Sequence, residues 1–268
     1  MKKLIFQGLI SLVLFFACWY LLSQVQWLKI FRVERLANKT EEKVGDMIWS
    51  AIKASDQVVY DKVVTSCVDS IFAHICKANN IDVDDIHIHV MMEEEVNAFA
   101  LPDGHLIVNT GLIKASKDEA ALAGVMAHEL AHIQKGHVMK KLIKEMGLST
   151  VLTMTSGGAG SEVLKEMLSH ISSSAYDRTL EKEADIQACD YLIKAQVDPN
   201  SFADFLYNLG SEDAAAAYLN WISTHPDSRE RGEYILEYSK GKFKDSKKIV
   251  SKSAWENMFH NLGHEVTD

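Results

Sequence analysis

Two histidines and a glutamate stand out in an apolar, alanine-rich stretch of the sequence. The segment AGVMAHELAHIQKGH contains His128, Glu129 and His132. On a helix the two histidines lie about 40° apart around the axis and one turn above each other, so both imidazoles can reach one ion. Glu129 lies about 100° from His128, where it can touch a metal-bound water without replacing it as a ligand. This H-E-x-x-H spacing is typical of hydrolytic zinc sites.

A catalytic zinc ion also needs a third protein ligand and an open fourth position. The segment RTLEKEAD offers Glu181 and Asp185, which are four residues apart and share a face of a helix. We expect Glu181 to be the third ligand of a single Zn²⁺ per chain. Asp185 is predicted to accept the free ring N–H of a zinc-bound histidine and so to fix its tautomer. Glu183 lies two positions from Glu181 and is predicted to point to the surface.

These residue types predict hydrolysis of a carbonyl compound. A water held by two neutral imidazoles and one carboxylate on zinc has its pKa lowered from about 15.7 to about 7, and Glu129 can accept its proton as general base. The oxyanion that develops needs a further donor. The segment THPDSRER offers His225 and Arg231 for this role. Alternatively, His225 occupies the fourth zinc position and holds the site latent.

Long helices are predicted to position these residues, because 268 residues contain only three prolines. Apolar side chains recur at helical spacing over residues 36–80, in one helix broken near Ser55 or in two helices. A capping box from Ser116 to Glu119 predicts the start of the helix that carries the histidines, and Gly136 predicts its end. Cys67 and Cys76 are predicted to be small apolar core residues rather than a disulfide, because they fall on opposite helix faces.

A small sheet is predicted between these helical regions. The segments IHIHV, VNAFAL and HLIVNTGL resemble strands, and Pro102-Asp103-Gly104 is a turn signal between the last two. We therefore expect an α+β fold that is mainly α, with a small antiparallel sheet of about three strands.

The first 22 residues predict a membrane helix. Two lysines precede an apolar run from Leu4 to Leu22, which spans about 28 Å as a helix. Cleaved signal peptides usually have a shorter apolar region, and Trp19 and Tyr20 suit a membrane interface, so an uncleaved anchor is favoured. Lipidation of Cys18 is the alternative. The remainder of the chain is expected outside the cytoplasm, because short N-terminal segments of this kind usually act as export signals.

The sequence therefore divides into four parts. They are a membrane anchor or signal segment (1–22), a juxtamembrane linker (23–35), a main domain (36–240) and a polar C-terminal tail (241–268). The net charge of −9 argues against binding of nucleic acid, which needs clustered lysine and arginine.

With these residues identified, the chain resembles the HtpX- and BepA-like family of membrane-associated gluzincin metallopeptidases, which also includes the CAAX prenyl proteases. The similarity covers residues 40–235 and rests on VNAFALPDGHLIVNTGLI, AHELAHIQKGH, EKEAD and THPDSRER, in that order. It implies a zincin-like fold and a zinc endopeptidase with polypeptide substrates. It also implies site residues, namely zinc on His128, His132 and Glu181, Glu129 as catalytic base, Asp185 in support, and His225 and Arg231 at the active site.

The same resemblance implies that residues 97–100 form an edge strand beside the cleft. An exposed edge can pair with an extended peptide through backbone hydrogen bonds; the residues concerned are Asn97, Ala98, Phe99 and Ala100. The chain departs from many members of the family in showing a single apolar run long enough to span a membrane. It therefore resembles a single-anchor branch, for which cleavage of prenylated peptides inside the bilayer is not expected.

Two functions follow from this interpretation. The first is an endopeptidase that degrades misfolded or misassembled membrane and envelope proteins. The second is a zinc-bearing, latent or non-proteolytic module with a chaperone-like role in quality control. The first is favoured because structural zinc sites are usually closed by four protein ligands and have no use for a glutamate at position 129.

Overall fold

The computed structural model describes residues 33–155, 160–209 and 219–263, together with Leu12 and Phe16. The chain divides into two compact units, Met1–Thr40 and Glu41–Asp268. Apart from Leu12 and Phe16, the predicted membrane segment lies outside the described residues, and so does the linker up to residue 32. Within the described ranges, no helix is both long and apolar enough to cross a membrane.

Helices dominate the described chain, as predicted, and three short strands lie between the second and third of them. In chain order the elements are α1 (Val33–Lys53), α2 (Lys62–Asn79), a 3₁₀ helix (Val83–Asp85), β1 (His87–Met91), β2 (Ala98–Ala100), β3 (His105–Asn109), α3 (Thr110–Ala115), α4 (Glu119–Gln134), α5 (His137–Met146), α6 (Leu148–Thr153), α7 (Ser161–Ser173), α8 (Arg178–Ala195), α9 (Pro199–Leu209), α10 (Leu219–Thr224), α11 (Ser228–Ser239) and α12 (Lys252–Asn261).

The sheet is mixed, so the prediction of an antiparallel sheet is wrong. Its strand order is β1-β3-β2, with β1 parallel and β2 antiparallel to β3. The turn at Asp103 and Gly104, with φ values of 63° and 70°, reverses the chain between β2 and β3 as predicted. The link from β1 to β2 instead passes the position that β3 occupies. Strand β3 therefore lies between β1 and β2 and is parallel to β1.

The sheet separates two clusters of buried apolar side chains, because successive side chains on a strand point to opposite faces. Ala98, Leu106 and Val108 belong to a large cluster with residues of α2, α4, α8 and α9. Ile107 belongs to a smaller cluster with residues of α1, α6 and α7, and Phe99 packs against it. All five residues of β3 are buried, since this central strand is covered on both faces.

Helix α4 lies in the middle of the domain, and its side chains are buried from Ala121 to His132. Gly124 allows this burial, because a Cβ atom there would lie 2.3 Å from Cβ of Phe202 on α9. The N-terminal cap is Asp118, whose side chain accepts the Ala121 N–H at 2.8 Å. The predicted capping box is therefore wrong, and Ser116 instead ends α3. Gly136 follows the last turn with φ of 62°, as expected for a helix end.

Residues 241–268 are not simply a polar tail. Helix α12 buries Met258 and Phe259 in the large cluster and packs on α2. The Glu119 carboxylate accepts the N–H groups of Ile249 and Val250 at 2.9 and 3.2 Å, which fixes the approach of this segment to the start of α4. The described part of this segment therefore belongs to the main domain.

The break predicted near Ser55 is confirmed, because α1 ends at Lys53 and α2 begins at Lys62. Cys67 and Cys76 on α2 are buried free thiols, as predicted for small core residues.

Candidate active site

Three separate segments of the chain meet at the C-terminal half of α4. This helix carries His128, Glu129 and His132, and α8 packs beside it with Glu181 and Asp185. His225 follows the short helix α10, and Arg231 lies in the second turn of α11. All seven side chains are at most 3% exposed. The fold thus brings together the residues that the sequence singles out, although up to 103 positions separate them.

Four of these side chains could hold a metal ion. His128, His132, Glu181 and His225 each contribute one ligand atom, and these atoms lie within 4.8 Å of one another. Nε2 of His128 lies 3.0 Å from Nε2 of His132, which is 3.2 Å from Oε1 of Glu181. Nδ1 of His225 lies 3.3 Å from Nε2 of His128. Ligands on a tetrahedral zinc ion with bonds of about 2.0–2.1 Å are about 3.3 Å apart, so this donor set fits zinc.

Asp185 fixes the orientation of His128. Its Oδ1 lies 2.8 Å from Nδ1 of His128, so the ring proton is held at Nδ1 and the lone pair of Nε2 faces the other ligand atoms. Asp185 also accepts two hydrogen bonds of 2.8 Å from Nε and Nη2 of Arg231, and a third from the Tyr234 hydroxyl. Burial opposes ionisation of Asp185, but Arg231 and His128 outweigh it and hold its pKa below the ordinary value.

His137 has an equivalent position beside His132, and it was not predicted as a site residue. The Nδ1 atoms of the two rings lie 3.0 Å apart, and Nε2 of His137 lies 3.4 Å from Oε2 of Glu183. Glu183 is exposed at the surface, as predicted, and it also approaches His137. A sequence signal exists: His137 directly follows Gly136, whose left-handed conformation turns the chain so that His137 lies against the preceding helix.

Glu129 connects the motif helix to the sheet. Its Oε2 accepts the backbone N–H of Ala100 at 3.0 Å, and its Oε1 lies 3.4 Å from Nε2 of His225. Burial raises the pKa of Glu129 to about 8, and the nearby Glu181 carboxylate contributes to this increase. A carboxylate with such a pKa can take up and return a proton near neutral pH.

Strand β2 is at the edge of the described sheet and faces Glu129. The N–H of Asn109 donates to Asn97 O at 3.1 Å, and the N–H of Leu101 donates to His105 O at 2.8 Å. Because hydrogen-bonded pairs alternate along an antiparallel ladder, the backbone groups of Ala98 and Ala100 point away from β3. The segment 97–100 is therefore an edge strand beside Glu129.

Arg231 is held by two carboxylates. In addition to its two hydrogen bonds to Asp185, Arg231 contacts Glu181, with Nη1 2.6 Å from Oε2. Burial opposes ionisation of Glu181, but Arg231, His225 and His128 outweigh it and keep the pKa of Glu181 well below its usual value. Both carboxylates are thus kept ionised in the protein interior.

Aromatic rings restrain two of the imidazoles. Tyr176 stacks on His132 with centroids 4.0 Å apart, and Trp221 stacks on His225 at 4.4 Å. Lys141 lies 4.1 Å from the centre of the Tyr176 ring, and burial lowers the pKa of this lysine to about 8. These three residues lie in different segments of the sequence and belong to none of the motifs, so the sequence offers no signal for them.

This region of the chain is similar in sequence to known proteins. A family model described as Peptidase family M48 matches residues 64–239. The chain is 25% identical over 204 residues to the beta-barrel assembly-enhancing protease of Yersinia pestis, covering 70% of this chain and 42% of that protein. It is 26% identical over 202 residues to the mitochondrial metalloendopeptidase OMA1 of Arabidopsis thaliana, covering 75% and 41%. It is 31% identical over 174 residues to the metalloprotease YcaL of Escherichia coli K12, covering 62% and 67%.

The chain spans about two fifths of the length of the first two relatives. The family match includes every residue of the buried cluster and of the β2 edge. It confirms the resemblance to HtpX- and BepA-like enzymes. On this match, which covers more than half of its length, the chain belongs to peptidase family M48.

Proposed function

We propose that this metallopeptidase binds one zinc ion through His128, His132 and Glu181 and uses Glu129 as general base. The observation that carries the proposal is the convergence of these ligand atoms. Nε2 of His132 lies 3.0 Å from Nε2 of His128 and 3.2 Å from Oε1 of Glu181, and the buried Glu129 lies on the same helix as the two histidines. When bound, zinc supplies Lewis-acid chemistry, because it lowers the pKa of a coordinated water to about 7 and polarises a carbonyl.

Glu129 is the group that moves the proton. The Ala100 N–H fixes one carboxylate oxygen, and the other oxygen faces His225. From there Glu129 takes a proton from the attacking water and returns it to the leaving amine, as the raised pKa of its carboxyl group favours. Its role as general base contributes about 10²- to 10⁴-fold to the rate.

The outer edge of β2 is proposed to bind the substrate backbone after the groups that cover it move, because Ala98 and Ala100 are 0% exposed. Ala98 directs its N–H and C=O away from β3, and so does the C=O of Ala100. An extended peptide paired to these groups lies next to Glu129, whose carboxylate already contacts the same edge. In this proposal Asn97 positions the strand through its side-chain hydrogen bond to Glu95, at 3.0 Å.

Asp185 and Arg231 are positioning residues. Asp185 orients the ring of His128, and Arg231 holds Asp185 and Glu181 by the three contacts of 2.6–2.8 Å. Because its guanidinium is engaged by these two carboxylates, Arg231 does not serve as the donor to the oxyanion. That task is left to His225, whose Nε2 lies beside Glu129.

His225 also supports the second candidate function, a latent enzyme. Its Nδ1 lies among the ligand atoms and can occupy the fourth zinc position. All four ligand side chains are at most 2% exposed, so a substrate carbonyl reaches them only if His225 and its neighbours move. If His225 holds the enzyme latent, His225→Ala raises basal proteolysis. A fall in proteolysis supports the role as donor to the oxyanion.

The proposed substrates are misfolded or misassembled proteins of a membrane or envelope. One relative is named as a protease that enhances β-barrel assembly, and another as a mitochondrial metalloendopeptidase. The apolar run from Leu4 to Leu22 supports tethering of the domain to a membrane, as an anchor or through a lipid on Cys18. A non-proteolytic quality-control module is the alternative, and it predicts bound zinc without turnover.

The test compares zinc-loaded wild type with Glu129→Gln on unfolded casein. We expect Glu129→Gln to retain one zinc ion per chain and to lose at least about 100-fold in cleavage rate. A chelator should abolish the wild-type activity, and added zinc should restore it. Equal cleavage by the two proteins would remove Glu129 from the mechanism, and zinc binding without any cleavage would favour the non-proteolytic alternative.

A further inference from the structure

A second group of metal-binding side chains lies outside the buried cluster. Asp46 of α1, Asp103 of the turn between β2 and β3, and His105 of β3 each offer one ligand atom, and these atoms lie within 4.8 Å of one another. His105 is on the same face of β3 as Ile107, which packs in the smaller apolar cluster with residues of α1. We call the three residues the turn site, and none of the roles proposed above uses them.

Gly45 brings α1 close enough to the turn for this group to form. A Cβ atom at Gly45 would lie 2.5 Å from the carbonyl oxygen of Pro102 and 2.5 Å from Cβ of Asp103, so the contact requires glycine. Glycine weakens the interior of a helix, and here it allows the helix and the turn to touch. The next residue, Asp46, is thereby held beside Asp103.

The two aspartates of the turn site carry like charges that no neighbouring cation offsets by direct contact. Burial raises the pKa of Asp103, and the carboxylates of Asp46 and Glu42 raise it further, while His87 opposes them more weakly. In the part of the chain that the structure describes, no lysine or arginine forms an ion pair with either aspartate. A divalent cation bound between the two carboxylates would replace this repulsion by attraction.

His105 distinguishes the turn site from a patch of surface acids. It is only 5% exposed, and its Nδ1 lies 2.9 Å from Nε2 of His89. Trp49 stacks on the His89 ring with centroids 3.5 Å apart, which fixes the position of that ring. Nε2 of His105 has no hydrogen-bond partner among the described residues, so it is the ring nitrogen left for a metal ion. Metal-binding histidines are commonly oriented in this way through their other nitrogen.

The donor set indicates the class of ion. Two carboxylates and one imidazole suit a divalent transition-metal ion such as Zn²⁺, whereas Ca²⁺ and Mg²⁺ are bound by oxygen ligands alone. Ligand atoms on one zinc ion lie about 3.3 Å apart, so the three side chains must draw together by up to about 1.5 Å. Asp46 is exposed and can make this movement by rotating its side chain. Water fills the remaining coordination positions.

We infer that Asp46, Asp103 and His105 bind a divalent transition-metal ion at a second site, separate from the buried cluster. The ion ties α1 to the turn between β2 and β3, and it stabilises the protein because it binds the folded chain and not the unfolded one. Binding is weaker than at the buried cluster, since the turn site has three protein ligands and is open to solvent at Asp46. The inference does not depend on the proposed peptidase function, because the two sites share no residue.

The experiment titrates Zn²⁺ into the full chain after one equivalent of zinc has been added, and isothermal titration calorimetry measures a second equivalent at neutral pH. Asp46→Asn and His105→Gln should each weaken this second binding by at least about 10-fold, because each impairs one ligand. Glu42→Gln is the matched control. It removes the same charge from the same exposed face of α1, but Glu42 is not among the ligand residues, so the affinity should fall by less than about 3-fold.

Thermal unfolding gives a second readout that does not involve activity. Zinc beyond the first equivalent should raise the melting temperature of wild type and of Glu42→Gln, but not that of Asp46→Asn. Asp46 is an exposed residue, so its asparagine variant is expected to fold even if His105→Gln does not. Equal weakening by Asp46→Asn and Glu42→Gln would mean that zinc is held only by the negative surface, and this would overturn the inference.

The outcomes for the two sites can be told apart. If wild type binds one zinc ion tightly and no second equivalent, the turn site is overturned while the buried cluster stands. If the buried cluster binds no zinc but Asp46→Asn still weakens the binding that remains, the peptidase proposal fails and the turn site stands. If Ca²⁺ displaces the second zinc equivalent equally well from wild type and from His105→Gln, His105 is not a ligand and the inference fails.

Discussion

His132 and His137 face each other through their Nδ1 atoms, which lie 3.0 Å apart in the interior of the domain. Nε2 of His132 points to His128 and Glu181, so its lone pair is available to a metal only when the ring proton is on Nδ1. His137 then accepts that hydrogen bond at its own Nδ1, and its Nε2 lies 3.4 Å from Oε2 of Glu183. His128 is thus oriented by the Asp185 carboxylate. His132 is oriented by His137, which lies beside the Glu183 carboxylate.

Removal of His137 should weaken zinc binding more than folding. We expect His137→Ala to raise the zinc Kd by about 10- to 100-fold, because it removes the acceptor that sets the tautomer of His132. His137→Gln should restore much of the affinity, since its amide oxygen can accept the same proton. The measurement is chelator competition, with His170→Ala on α7 as a control. If the alanine and glutamine variants bind zinc alike, His137 has no role in positioning.

Some parts of this arrangement were predictable from the sequence because they repeat a local spacing. The i, i+4 pairs His128–His132 and Glu181–Asp185 each define one helix face whatever the fold. The prediction that these two helix faces meet rests only on the order of four motifs, which the chain shares with a known family. His137 was missed because a histidine at the start of a polar-faced helix resembles a solvent-exposed residue until its neighbour is known.

Other features could not be read from local patterns because they depend on distant partners. Alternation along IHIHV predicts a strand but not whether its neighbour is parallel, and the link from residue 92 to 97 decides this. Met258 and Phe259 lie in a polar segment, and they are buried because α2 presents an apolar surface to them. Glu119 is the last residue of the predicted capping box, but its carboxylate accepts the N–H groups of Ile249 and Val250.

Arg231 should contribute strongly to the stability of the metal-free protein. Arg231→Met leaves the Asp185 and Glu181 carboxylates buried without their main cation, which should cost about 3–5 kcal/mol of unfolding free energy. Arg231→Lys should also destabilise, because an ammonium group cannot reproduce the two-point contact. Urea unfolding in the presence of a chelator measures this. Arg229→Met removes only exposed contacts, with Glu233 and Tyr207, and should change stability by less than about 1 kcal/mol. A similar loss in both methionine variants contradicts the assignment.

The contact of α4 with α9 provides a test of the packing that places the motif helix. A Cβ atom on Gly124 would lie 2.3 Å from Cβ and 2.7 Å from Cγ of Phe202, so the two helices must separate in Gly124→Ala. We expect this variant to lose about 1–3 kcal/mol in urea unfolding. Gly160→Ala is the matched control, because its φ is −74° and a Cβ there meets nothing within 4 Å. Unchanged stability of Gly124→Ala would show that α4 and α9 are less closely packed.

Two histidines away from the buried cluster should make stability depend on pH. Nε2 of His89 and Nδ1 of His105 lie 2.9 Å apart, and Trp49 stacks on His89 at 3.5 Å. Burial lowers the pKa of His105 to about 4 and that of His89 to about 3, and neighbouring histidines, His87 among them, add to both effects. The folded protein therefore keeps both rings neutral at pH values where the unfolded chain is protonated.

The sign of the effect follows from this difference in proton binding. Below about pH 6.5 the unfolded chain binds protons that the folded chain excludes, so stability is complete above that pH and is lost progressively down to about pH 4. Each such histidine contributes a slope of about 1.4 kcal/mol per pH unit in this window. His105→Gln should lower the slope of wild type by about that amount, measured by urea unfolding between pH 4.5 and 6.5. The exposed His260→Gln should not change the slope, and an unchanged slope in His105→Gln would show that His105 is protonated in the folded protein.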